Sequence, residues 1–266
     1  MKKAKSVALI GAGRLTDSSL SRFYWLSERL GPVKSSSYRL ASRIANHLHA
    51  GHAVKGFEEF HSCELIVVCV PDQMLPQVLD DLISARIDFN GKAVVLGSLW
   101  LDSSELRELS ARGAAVGSIC PLPGFDDHRY LIEGDRLAVL RSRRLVEHRD
   151  RRVVTIERSL KPFYLASVTC TGSVLFSVLT AAAESLRHAG MPPAVSASIL
   201  EKQVGRTLRS FVRSGRNAFP APREFSRQLR ALTDTDPDLA HYLEQSARLA
   251  ERLLGNRKLA SAATAR

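Results

Sequence analysis

The sequence has little cysteine, four residues in 266, and no two of them fall at a metal-binding or redox spacing. Cys63, Cys69, Cys120 and Cys170 are scattered. That excludes a disulfide-stapled fold and a zinc ribbon, and it points to a reducing, cytoplasmic compartment. No run of about 18 consecutive apolar residues is visible, so no membrane span is expected. The basic start, Met1-Lys2-Lys3-Ala4-Lys5, has the charge of a signal peptide. The apolar run after it is short and enters a glycine turn, as a first strand would. Aromatic residues are scarce at 6%, and internal repeats are absent. What is present is ordinary for a soluble globular chain: 45% hydrophobic and 24% charged residues, at a length of about two domains.

Charge is the uneven feature. The net +11 divides into +2 over residues 1–150 and +9 over residues 151–266. A basic chain alone raises nucleic acid as a partner. The asymmetry narrows the question to what the second half does with its arginines.

Strand and helix patterns alternate through the first half. Short apolar runs at Val7–Ile10, Val33–Ser35, Glu64–Val70, Ala93–Leu96 and Ala115–Ile119 read as buried strands. Helical spacing falls between them, over about 18–30, 38–49, 74–86 and 104–112. Arg136–Leu140 and Val153–Ile156 are expected to be the last strands. Strands this apolar imply a parallel sheet covered on both faces. From Lys161 onward only helices are expected, over about 162–189, 193–214, 222–232 and 237–254, with breaks at Gly190–Pro193 and Gly215–Pro222. The expected domains are 1–157, a nucleotide-binding Rossmann-type α/β domain with a doubly wound parallel sheet; 158–255, all-helical; and 256–266, a flexible tail.

Gly11-Ala12-Gly13-Arg14-Leu15-Thr16 follows the first strand and opens the first helix. A dinucleotide site needs this arrangement. One glycine makes the tight turn, the next lets the backbone approach a pyrophosphate, and the helix N-terminus supplies amides. The third glycine of the pattern is Thr16. At the end of the second strand an NAD site would carry an acid for the ribose hydroxyls. The sequence there is Lys34-Ser35-Ser36-Ser37-Tyr38-Arg39, with cations and hydroxyls and no acid. Those groups suit a 2′-phosphate, so NADP is expected over NAD, with Ser35, Ser36, Ser37 and Arg39 as contacts. A serine here also suits capping of the following helix.

Val7–Gly13, Val67–Asp72, Gly113–Ser118 with Pro121-Leu122, Lys161-Pro162-Phe163-Tyr164-Leu165-Ala166 and the alanine-rich stretch to His188-Ala189-Gly190 together resemble one family. It is the group of bacterial Rossmann-like proteins with a C-terminal helical domain of unknown function, similar to pyrroline-5-carboxylate reductase and to deazaflavin-dependent NADP reductases. The resemblance implies an NADP-binding first domain and a helical, 6-phosphogluconate dehydrogenase C-terminal-like second domain that forms a homodimer. It implies a site at the carboxyl ends of the strands between the two domains. Val70 and Pro71 would line the nucleotide, Gly97 and Ser98 would lie near the nicotinamide, and Pro121-Leu122 would line the substrate side. Lys161 and Tyr164 would begin the first long helix, facing the pocket. The chain departs from the family at Cys120 and Leu165, where histidines are usual, and at Asn217–Arg223, where a Leu-Thr-Gly-Pro segment is missing.

Tyr164 is the expected proton donor, with Lys161 one turn earlier on the same helix face to lower its pKa. Thr169, Thr171 and Ser173 are better placed to bond back to the helix. His47, His49 and His52 lack a second ligand motif, so no metal is expected. Lys202, Arg206, Arg209, Arg213 and Arg216 form one stripe on a helix that reaches Arg216, with Leu200, Val204 and Phe211 on the core face. Arg223, Arg227 and Arg230 form a second set. A solvated face, an anion funnel and a polyanion site all fit this stripe. Without aromatic interleaving or a known motif, nucleic acid is the least favoured. The function expected is an NADP-dependent oxidoreductase acting on a C=N or C=O bond of a small substrate, anionic if the stripe faces it. A non-catalytic NADP-binding regulator and a polyanion-binding module are the alternatives.

Overall fold

The computed structural model describes residues 6–12, 29–122, 129–146, 153–218 and 225–254. These residues divide into two compact units, Met1–Val168 and Thr169–Arg266. The first unit extends past residue 157 because Lys161 is buried within it.

The first unit is built on one eight-stranded sheet. Its strands are β1 (Val7–Gly11), β2 (Leu30–Lys34), β3 (His52–Ala53), β4 (Leu65–Cys69), β5 (Ala93–Leu96), β6 (Ala115–Pro121), β7 (Tyr130–Gly134) and β8 (Val153–Thr155). They lie in the order β3-β2-β1-β4-β5-β6-β7-β8. β1 to β6 are parallel, β7 runs antiparallel to β6, and β8 is parallel to β7. The order 3-2-1-4-5-6 is the Rossmann arrangement, and its direction reverses between β1 and β4.

Alternation along the strands sends side chains to two cores. Val7 and Leu9 face one side with Val67, Val95 and the buried face of α1 (Tyr38–His47), namely Ala41, Ile44 and Ala45. α4 (Arg136–Val146) covers the same side with Ala138, Leu145 and Val146. Ala8 and Ile10 face the other side with Ile66, Val68, Val94 and α2 (Leu75–Ser84), through Leu75 and Leu82. Leu109 of the short α3 (Arg107–Ala111) joins this second core. Strands buried on both faces account for the unbroken apolar runs in the sequence.

Three elements differ from expectation. Arg136–Leu140 is not a strand but the start of α4, since Ala138, Ser142, Leu145 and Val146 are buried at helical spacing. The strand of that region is β7, which the Tyr-Leu-Ile-Glu run encodes and Gly134 ends. β3 was not expected, being two residues long.

In the second unit α5 (Lys161–Thr169), which begins in the first unit, runs into a π-helical turn at Cys170–Val174 and then α6 (Leu175–His188). α7 (Pro193–Ser214), α8 (Phe225–Thr233) and α9 (Pro237–Leu254) follow. α6 packs on α7, and α8 on α9. Only Ser196 and Ala240 are buried among the described residues of this unit. Phe176, Phe211, Val212 and Leu253 are exposed, so Phe211 is not the core residue expected of it. α7 ends at Ser214, where Gly215 takes a positive φ of 55°. Arg216 therefore falls in the next turn and outside the helical stripe.

One helical stretch nevertheless meets the length and composition of a membrane-crossing helix. Arg158–His188 is long enough, and its most apolar 18-residue window has a mean hydropathy of 1.7. Interspersed Ser, Thr, Ala and Gly hide it from a search for large apolar residues, yet no charge lies between Lys161 and Glu184.

Candidate functional site

The carboxyl ends of β1, β2 and β4 enclose a cavity of about 390 Å³. β1 contributes Ile10, Gly11 and then Ala12, whose amide donates to the Cys69 carbonyl at 3.2 Å. β2 and the turn after it contribute Lys34, Ser35 and Ser36, and β4 is followed into the cavity by Val70. Phe57 closes one side, and Met74, Gln77, Val78 and Asp81 close another. The volume suits a drug-sized or half-dinucleotide ligand.

The three serines after β2 have separate roles. Ser37 is the N-cap of α1, its hydroxyl accepting from the Leu40 amide at 3.2 Å. Ser36 is exposed at the cavity wall. Ser35 is buried, and its hydroxyl has no hydrogen-bond partner among the described residues. A buried hydroxyl left unpaired is costly, so the site is built for something that pairs it. One cation of the cavity wall lies beside it. Lys34 donates to the Ser35 carbonyl at 3.1 Å and lies 5.3 Å from the Phe57 ring centroid. Arg39 is exposed in the first turn of α1, which holds no acid.

Gly13, Arg14 and Leu15 lie outside the described residues, as does nearly all of the helix expected over 18–30. Arg223 does too. Pro71 starts the single 3₁₀ turn Asp72–Met74. Ser98 follows β5. Its hydroxyl donates to Asp72 at 3.3 Å and accepts from the Trp100 and Leu101 amides, both at 3.2 Å, so it shapes its own loop.

A second polar cluster sits at the carboxyl ends of β5 and β6. The buried Lys161 ammonium donates to the Ser118 hydroxyl at 2.8 Å, the Ser98 carbonyl at 3.5 Å and the Leu101 carbonyl. Burial holds its pKa below the usual lysine value. Glu133 of β7 is also buried and accepts from the Ser103 amide at 2.8 Å and hydroxyl at 2.7 Å, with the Arg158 guanidinium 3.7 Å away. Tyr164 is half-buried, and its hydroxyl has no partner among the described residues. Burial, with Cys120 beside it, pushes its pKa up to about 12. Burial likewise pushes the Cys120 thiol up to about 11.

The expectation that Lys161 lowers the Tyr164 pKa is therefore overturned. The ammonium is committed to carbonyls and a serine, and burial dominates at the phenol. Sequence reasoning missed Phe57, Gln77 and Asp81 in the first cavity, and Glu133, Ser103 and Ser118 in the second cluster. A carboxylate inside the apolar run Tyr130–Gly134 was the available signal. Among the described residues no group of three or more His, Cys, Asp or Glu could hold a metal ion, and His52 pairs with Glu59 at 2.6 Å. Lys202, Arg206, Arg209 and Arg213 are exposed on α7, and Arg227 and Arg230 on α8.

No family model and no curated protein matches the sequence. Solved structures do match it. A protein of Bacteroides fragilis assigned as an NADP oxidoreductase superposes with a TM-score of 0.70 at 17% identity, covering 95% of this chain and 99% of that one. The imine reductase of Myxococcus stipitatus superposes as a variant with NAD⁺, with a TM-score of 0.64 at 17% identity over 93% of this chain and 94% of that one. With NADP⁺ it gives 0.60 at 16% identity over 97% and 95%. The chain has the fold of these oxidoreductases. At such identities the fold is what is shared, a Rossmann-type sheet followed by helices, and the site's chemistry rests on this chain's own residues.

Proposed function

We propose that this chain is an NADP-dependent oxidoreductase that reduces a C=N or C=O bond of a small substrate. The carrying observation is Ser35, a buried hydroxyl without a partner among the described residues, in a cavity lined by Lys34, Ser36 and the Gly11-Ala12 turn. An NAD site would place a carboxylate at this strand end, and none is there. The neighbours' ligands do not decide between the cofactors, since one imine reductase structure holds NAD⁺ and another NADP⁺. The residues fit the 2′-phosphate: Ser35 and Ser36 as donors, Lys34 and Arg39 as charges, and the acid-free first turn of α1.

NADPH, when bound, would supply the hydride. The chain's part is to orient and to hold a proton. Tyr164 stays protonated throughout the physiological range, as a donor must, but a pKa of about 12 makes it a weak acid. That observation favours a second reading, an NADP-binding regulator that does not turn over. Cys120 and Leu165 stand where the resembled family has histidines, and the buried Cys120 thiol does not replace an imidazole at neutral pH.

The homodimer is part of the proposal. Among its described residues the second unit buries almost none of its own apolar side chains, and about 100 residues without a core do not hold together alone. A second copy covering the apolar α5–α6 stretch supplies what is missing. This accounts for its hydropathy without a membrane. Four free cysteines suit a reducing, cytoplasmic compartment.

The test is titration of the purified protein with NADPH and NADH, followed by an NADPH-oxidation screen over imines, keto acids and aldehydes. Tight NADPH binding with turnover of one class supports the enzyme. Tight binding with no turnover supports the regulator. Binding of neither nucleotide sinks both.

A further inference from the structure

A buried ammonium is an odd way to hold a fold together. Replacing a buried ion pair by apolar side chains of similar volume is often neutral for stability or better, whereas removing one partner alone is costly. Lys161 is fully buried, and all three of its protons are directed to acceptors. Two of the three are main-chain carbonyls of one loop, Ser98 and Leu101, which follows β5. The third is the Ser118 hydroxyl on β6. The same loop is held further on by Glu133, through the Ser103 amide and hydroxyl. Within it, the Ser98 hydroxyl gathers the Trp100 and Leu101 amides. The segment from Ser98 to Ser103 is thus fixed from beneath by one buried cation and one buried carboxylate. Leu101 packs on the second core, while Ser98 and Asp102 are half-buried polar residues and Trp100 is exposed.

The position of this loop carries the argument. In a Rossmann-type sheet the β1-β2-β3 half takes one mononucleotide and the β4-β5-β6 half takes the other, at the strands' carboxyl ends. The cavity with Ser35 belongs to the first half. The Ser98–Ser103 loop belongs to the second.

We propose that Lys161 is a positioning residue, whose ammonium holds the Ser98–Leu101 loop in the shape that receives the nicotinamide half of the cofactor. This rests on the NADP reading above. It replaces the role expected for Lys161, that of tuning Tyr164, with one exerted through main-chain carbonyls. Cys120 from β6, Glu133 from β7 and Asp102 from the loop are the titratable groups whose charges bear on it.

The test compares two ligands on the full chain. NADPH engages both halves of the sheet, whereas adenosine 2′,5′-bisphosphate engages only the Ser35 half. Lys161→Met is expected to bind the bisphosphate within about twofold of wild type and NADPH about tenfold more weakly, which is a change of about 1.4 kcal/mol in their difference. Ser118→Ala, which removes one acceptor and leaves the charge, is expected to weaken NADPH by about threefold with the bisphosphate unchanged. A merely structural lysine would lower the melting temperature and leave the ratio of the two affinities alone. An unchanged ratio in Lys161→Met overturns the proposal, and so does equal loss of both ligands. If Lys161→Met does not fold, an unchanged ratio in Ser118→Ala overturns it instead. A wild-type chain that binds neither ligand overturns the cofactor reading itself, a result distinct from either.

Discussion

Ser35 and Ser37 stand two positions apart at the end of β2 and have opposite environments. Ser37 is a helix cap, so its loss would cost α1 about 1 kcal/mol. Ser35 is buried, with nothing to bond among the described residues. Ser35→Ala is therefore expected to leave the melting temperature unchanged or raised, because an unpaired buried hydroxyl costs about 1–3 kcal/mol. It is expected to weaken NADPH about tenfold and NADH much less, by fluorescence titration. Lower stability with unaltered NADPH affinity would show that Ser35 is only structural. Tyr164 gives a pH prediction. Its pKa is raised from 10.0 unfolded to about 12 folded, so its contribution to stability is complete below pH 10 and is lost as pH rises toward 12. Tyr164→Phe removes that term. The variant should unfold at higher pH than wild type in an alkaline titration followed by circular dichroism. The serine cluster was legible in the sequence as a set of hydroxyls with no acid among them. Which serine caps and which is left over depends on backbone placement at the start of α1, and the sequence does not show that.

The β6–β7 junction sets the limits at the scale of elements. Gly134 has a φ of 126°, and a Cβ there would lie 2.3 Å from the Val116 carbonyl oxygen and 2.4 Å from the Gly117 Cα. Both neighbours are backbone and cannot move aside. Gly134→Ala is expected to destabilise the first unit by on the order of 4 kcal/mol, measured by urea denaturation. A loss under about 1 kcal/mol would mean that the antiparallel strand pairs more loosely than its register implies. β7 is also where sequence reasoning went wrong. Tyr130–Gly134 carries the buried Glu133, and a carboxylate inside an apolar run reads as a loop. Main-chain pairing opposite Ser118 makes it a strand residue, and hydrogen bonds from Ser103, thirty residues earlier in the chain, satisfy its buried carboxylate. β1, β4 and β5 were legible because both sheet faces are covered, which leaves every position apolar. α4 was read as strand because its first residues, Arg-Leu-Ala-Val-Leu, fit either period until Leu145 and Val146 extend the buried face.

The two units differ as whole bodies. The first carries two cores and a net charge of +5, and the second carries +6 on fewer residues, with almost nothing buried among its described residues. Phe176 is 73% exposed on α6 and is a central residue of the face proposed to meet a second copy. Wild type is expected to sediment as a dimer and Phe176→Asp as a monomer with a lower melting temperature. A wild-type monomer at micromolar concentration would remove the dimer from the proposal. The basic helix face of α7 stays outside this scheme, and its arginines are exposed, as a solvated face, an anion funnel and a polyanion site would each have them. The sequence by itself determined the α/β class, the strand order's starting turn, the absence of an acid after β2 and the change to helices near Lys161. These are local patterns of burial and charge, and a chain's own periodicity records them. Tertiary structure decided the rest: that Ser35 is the unpaired hydroxyl, that Lys161 reaches back some sixty residues to the carbonyls of Ser98 and Leu101, and that Tyr164 is kept neutral. Each of these depends on which distant segments share a buried volume, and desolvation there outweighs the nearest neighbour in sequence.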